Sequence, residues 1–247
     1  MINYIINFFR KKKKIDLKKL PSQGFFYNND FELYIKKADI KDILEYENDF
    51  DSRNLGLILF KIKNVVKNNT IIKNSYDWES IKSIDVIFIF FEIVKLTKNK
   101  SISFLFNNRN IEFSDKTFNY FDFSKILNKW NKDEKCFNLN GYKYSLPSIG
   151  VESSLTTFLI DKSYGDHSEK YSKYSYSFVY FLNNKLHLSY DEIENLIQIF
   201  NYDIDIDEIV KIDEIVNIFA NLQRYTIRYE NNIIELNSKI NLQFIWK

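Results

Sequence analysis

Few residues in this 247-residue chain can do chemistry: two histidines, His167 and His187, and one cysteine, Cys136. Hydrolytic catalysis needs a nucleophile, a base and an orienting group in one place. Neither histidine lies in a recognisable motif, and Asp166–His167 follows Gly165 in a polar stretch that reads as a helix start. No G-x-S-x-G elbow and no phosphate-binding glycine loop occurs, and the whole chain holds five glycines. A lone cysteine forms no internal disulfide, and no Cys/His cluster is spaced for zinc. The reading is therefore no enzyme, with no catalytic, cofactor-binding or metal residues assigned and no small-molecule substrate.

One acidic run was weighed as a metal loop. Asp203, Asp205, Asp207, Val210 and Glu214 fall at places 1, 3, 5, 8 and 12 of an EF-hand. Place 6 is Glu208, where the sharp turn demands glycine. The favoured explanation is that these acids cap the helix running to Phe219 and complement its dipole.

Charge points away from a broad nucleic-acid footprint. Residues 10–19 (RKKKKIDLKK) carry seven basic groups and one acid, so the rest of the chain sums to about −4. A mildly acidic body behind a short basic arm gives weak, salt-sensitive contacts to polyanions. The alternative function is a nucleic-acid-binding accessory protein using that arm. The 23 Phe, 17 Tyr and 3 Trp residues could stack bases, but most sit at core spacings. Tyr171, Tyr174, Tyr176 and Tyr180 read as an amphipathic helix. The longest apolar run, Val86–Phe91, is far short of the roughly 20 residues of a membrane span.

The elements that must position these residues are legible from periodicity. The fold class expected is α+β, helices packed with short antiparallel hairpins. It comprises an arm (1–19), an N-terminal half (20–130) and a C-terminal half (136–247) ending in antiparallel strands. Phe31, Leu33 and Ile35 alternate as in a half-buried strand. Ile40, Ile43 and Leu44, then Leu55, Leu59, Ile62 and Val66, follow helical spacing. A third helix is expected over 80–96, then a hairpin around Asn107–Asn110 and an aromatic lid at Phe118–Phe123. Asn140–Gly141 marks a second hairpin, with helices over 150–162 and 168–183. Ser189 and Glu192 form a capping box. A helix carrying Ile212 and Phe219 precedes closing strands at 225–229, 233–236 and 240–246.

Both prolines occur in matching contexts, Leu20-Pro21-Ser22-Gln23-Gly24 and Leu146-Pro147-Ser148-Ile149-Gly150. Similar turn chemistry explains the pair, since Pro presets φ and Gly supplies φ > 0. An internal duplication into two similar halves is the other reading.

The order of features over residues 19–95 resembles the baseplate hub and assembly proteins of T-even-type contractile-tail bacteriophages. Leu20–Tyr27 (LPSQGFFY), the strand Phe31–Ile35, the segment Ala38–Leu44 and the acid Asp85 before a hydrophobic helix carry the likeness. Gly141–Glu152 resembles that family's second strand-to-helix junction. The resemblance implies a non-enzymatic structural or assembly protein acting through other tail and baseplate proteins, located in the host cytoplasm or the virion. Over-use of Lys, Asn, Ile, Phe and Tyr, as in AT-rich phages, is compatible with it. Phe25, Phe26 and Tyr27, aromatic in a turn-like segment, are the expected partner-inserting residues. The strand ending in Trp246 is expected to pair edge to edge with a partner.

Overall fold

The computed structural model describes residues 12–48, 55–106, 109–113, 127–139, 142–163, 187–198, 226–229, 232–235 and 246. Among them are five α-helices and four small antiparallel sheets, an α+β architecture. The expected elements at 118–123, 168–183, 203–219 and 240–245 lie outside the described residues.

The centre is α3 (Val86–Lys98), whose Val86–Phe91, Ile93 and Val94 are all buried. Its first turns are apolar on every side and lie inside other elements, while Glu92 and Lys95 bring its later part to the surface. It ends where Asn99 turns left-handed (φ 55°) and donates its N–H to the Lys95 carbonyl. Against it pack α2 (Leu55–Asn69), through Ile58, Ile62, Val65 and Val66, and the shorter α1 (Ile40–Glu47).

The first sheet runs β1 (Lys13–Lys14), β2 (Leu33–Ile35), β3 (Thr70–Ile72), all antiparallel. Leu33 and Ile35 are fully buried with Tyr34 half-buried between them, the alternation expected of this strand. Part of the basic arm is thereby folded in. Lys13 and Lys14 form an edge strand, Ile15 is buried, and the two lysines pair with Glu92 and Glu32. Lys14 and Lys73 draw the Glu32 carboxyl down to about 2. Residues 1–11 lie outside the described residues.

β4 (Ser103–Phe106) and β5 (Arg109–Glu112) form the first expected hairpin. The second, β7 (Cys136–Leu139) with β8 (Tyr142–Tyr144), gains a third strand, β6 (Trp130–Asn131), which pairs with β7. The boundary expected at 131–135 is thus the turn of a sheet. Separation there would break the Trp130–Phe137 and Asn131–Cys136 pairings. α4 (Ile149–Ser163) follows, then α5 (Tyr190–Gln198) behind its Ser189/Glu192 capping box. β9 (Thr226–Tyr229) and β10 (Asn232–Glu235) complete the description. Lys63 on α2 meets Glu152 on α4 at 2.6 Å, and Ile149 joins the central core. The N-terminal half and 127–163 therefore share one interior. Among the described residues no helix is long and apolar enough to cross a membrane.

Candidate functional site

Two of the segments singled out by the resemblance, Leu20–Tyr27 and Gly141–Glu152, meet at one buried point, the segment Ile81–Asp85 leading into α3. Asp85 has no solvent exposure. Its Oδ1 accepts the Ser22 N–H at 2.8 Å, and its Oδ2 accepts the Tyr27 hydroxyl at 2.7 Å. The Tyr27 oxygen in turn accepts the Lys82 backbone N–H at 2.9 Å. Burial pushes the Asp85 carboxyl up to about 6, against the pull of Ser22, Tyr27 and Lys82. Burial likewise brings the Lys82 ammonium down to about 8, with the Asp85 charge opposing the shift. Burial, with the Asp85 charge adding to it, raises the Tyr27 phenol well above its ordinary value.

The second Pro-Ser turn docks on the same segment. The Ser83 N–H donates to the Pro147 carbonyl at 3.0 Å, and the Ile149 N–H to the Ile81 carbonyl at 2.8 Å. Lys82 and Ser148 form an isolated antiparallel bridge. The Asp85 carboxylate and the Tyr27 hydroxyl spend their hydrogen bonds inside the core, while the Ser83 hydroxyl is buried there with no partner.

Two expected interface residues are corrected by this geometry. Tyr27 is 4 % exposed because it completes the Asp85 network and stacks on Phe31 at 4.4 Å. Phe26 is 5 % exposed because it fills the space between Trp130 and Phe137, at 5.2 and 5.9 Å. Phe25 is half-buried, edge-on to Trp130 at 5.7 Å. The aromatic run after the turn joins the two halves of this chain and does not stand free for a partner. Trp246 is half-buried and edge-on to Tyr46 and Phe90, at 6.1 and 6.0 Å. It packs on the central core. The strand expected to carry it lies outside the described residues.

One surface that presents apolar side chains is that of α1, which packs inside out at Ile40 and Leu44, 76 % and 60 % exposed. The inward face carries Ile43, Tyr46, stacked on Phe90 at 5.4 Å, and the carboxylate of Asp42. Asp42 accepts both Asn68 Nδ2 and Asn69 Nδ2 at 2.9 Å and forms a reciprocal capping box with Asp39. At the other end Lys61 Nζ donates to the carbonyls of Glu45 and Asn48. Polar bonds at both ends thus fix which way α1 faces. The groove between α1 and α2 holds about 240 Å³ and is bordered by Phe60, itself 60 % exposed. That is below the usual volume of a small-molecule site and suits a partner side chain. Sequence periodicity marks the apolar pair but not the side it faces. The signal available was Asp42 at the helix's third residue, followed by Asn68–Asn69 at the end of α2.

In the alternative site, the basic arm, Lys13 meets Glu92, which also meets Lys95, and Lys14 meets Glu32. No family model, curated protein or solved structure matches the chain.

Proposed function

We propose that this chain is a non-enzymatic protein-binding component, a structural or assembly part of a contractile-tail phage baseplate. A neighbouring protein subunit covers the outer face of α1. The inside-out packing of this helix carries the reading. Leaving Ile40 and Leu44 in water forfeits roughly 1.5–3 kcal/mol of burial for each side chain. A partner that covers them recovers it. Lys41 and Glu45, paired at 3.6 Å, supply the polar flank that interfaces use around an apolar centre. The resemblance of Leu20–Tyr27 and Gly141–Glu152 to baseplate proteins supplies the setting. That both segments dock on Ile81–Asp85 supports reading them as one structural unit.

The experiment is co-expression of tagged chain with the phage tail proteins, comparing wild type with Ile40→Asp/Leu44→Asp. These side chains are exposed, so the variant should fold with a stability within about 0.5 kcal/mol of wild type. Recovery of stoichiometric baseplate proteins by wild type, and at least a tenfold loss in the variant, is expected. Undiminished recovery by a folded variant would refute α1 as the contact. Nuclease-sensitive, steeply salt-dependent binding through residues 10–19 would instead favour the nucleic-acid reading.

A further inference from the structure

His187, which no part of the preceding argument uses, faces the turn that opens the path into α3. Its Nδ1 lies 3.3 Å from Glu79 Oε2. Asp77, Glu79 and His187 each bring one ligand atom to within 4.8 Å of the others. We propose that these three side chains form a divalent-cation site of the zinc class, with water completing the shell.

Three observations carry this. The donor set is mixed, one imidazole and two carboxylates. Imidazole selects borderline ions such as Zn²⁺ over Mg²⁺ and Ca²⁺, which prefer all-oxygen shells. The separation is right as well. Ligands about 2.0–2.1 Å from a tetrahedral ion stand roughly 3.3–3.4 Å apart, and His187 and Glu79 already do. Finally, the ligands come from separate, independently fixed parts of the chain. Asp77 caps the 3-10 turn Trp78–Ser80 and Glu79 lies within it, with Asp77 Oδ1 accepting the Glu79 N–H at 3.0 Å. His187 is held from the other side by its neighbours: Leu188 is buried, and Ser189 caps α5. A cation here ties the start of α5 to the turn ahead of Ile81–Asp85. With His187 half exposed, the site fills from solvent without opening the core.

The test is thermal unfolding of the full chain, chelator-treated, titrated with Zn²⁺ and separately with Mg²⁺. The expected result is a saturating rise in the midpoint with Zn²⁺, roughly 5–10 °C at a hundred times Kd, and none with Mg²⁺. His187→Ala and Glu79→Gln should each abolish the rise while leaving the metal-free midpoint within a degree or two. No rise in the wild type would overturn the proposal and leave Glu79–His187 a simple ion pair. A rise that survives both substitutions, or equals that from Mg²⁺, overturns it equally.

Discussion

Replacing Asp85 by alanine perturbs the point on which the largest share of the fold converges. The carboxylate serves two core donors, the Ser22 N–H and the Tyr27 hydroxyl. Each donor left without an acceptor costs about 1–3 kcal/mol. Two such donors put the expected loss at about 2–6 kcal/mol in total. For a chain of this size that lowers the thermal midpoint by roughly 4–24 °C. Asp85→Asn keeps an acceptor for the Ser22 N–H but cannot serve the hydroxyl as well. It should cost about 1–3 kcal/mol. Urea unfolding at pH 7, followed by tryptophan fluorescence and extrapolated linearly, measures both changes. An alanine variant within about 0.5 kcal/mol of wild type would refute the reasoning. So would an asparagine variant as unstable as the alanine one, since that assigns the cost to packing and not to the hydrogen bonds.

Two further outcomes follow from the same neighbourhood. The native Asp85 pKa, about 6, lies above its unfolded value, so the stability it contributes is present below about pH 4 and lost as pH rises through 6. The native Lys82 pKa, about 8, lies below its unfolded value, so its contribution is present above about pH 10 and lost as pH falls through 8. Urea midpoints should therefore pass through a trough between pH 6 and 8, and Asp85→Asn should flatten its acid side. Gly24→Ala should cost about 1–2 kcal/mol at an unchanged urea slope. Gly24 has φ +75°, and an added Cβ would stand 3.1 Å from Leu17 Cβ and 3.2 Å from the Leu17 carbonyl.

What was legible in the sequence was what local chemistry decides. The β2 alternation, the Asn140–Gly141 hairpin and the Ser189/Glu192 capping box are each set by residues within a few positions of one another. The strand β6 was not legible. Trp130–Asn131 is two residues long and exists only because Phe137 and Cys136 pair with it. The facing of α1 was not legible either. Ile40, Ile43 and Leu44 stand at helical intervals, but Ile43 packs on the core while Ile40 and Leu44 face outward. That facing is fixed by Asp42 bonding to Asn68 and Asn69, on another helix. The aromatic run Phe25–Tyr27 looked available for a partner because its own partners, Trp130, Phe137 and Asp85, lie far along the chain. The meeting of His187 with Asp77 and Glu79 was not legible for the same reason, since the turn that carries both acids lies far from it along the chain.

The two Pro-Ser turns show how a sequence likeness can arise without a copied fold. Each must deliver one backbone polar group into a dry core. In the first the Ser22 N–H reaches Asp85, and in the second the Pro147 carbonyl receives the Ser83 N–H. An orphaned backbone group at such depth is costly. Proline at Pro21 and Pro147 has no N–H to strand there. Serine folds its hydroxyl onto the local backbone: Ser22 Oγ accepts the Gly24 N–H at 3.3 Å, and Ser148 Oγ accepts the Val151 N–H at 3.2 Å. Leu20 and Leu146, at 0 % and 1 % exposed, anchor each turn from the preceding position. The same three residue types answer the same three demands, although one turn leads to a strand and the other to a helix. Shared chemistry at one docking segment is therefore a sufficient physical reason for the repeated Leu-Pro-Ser.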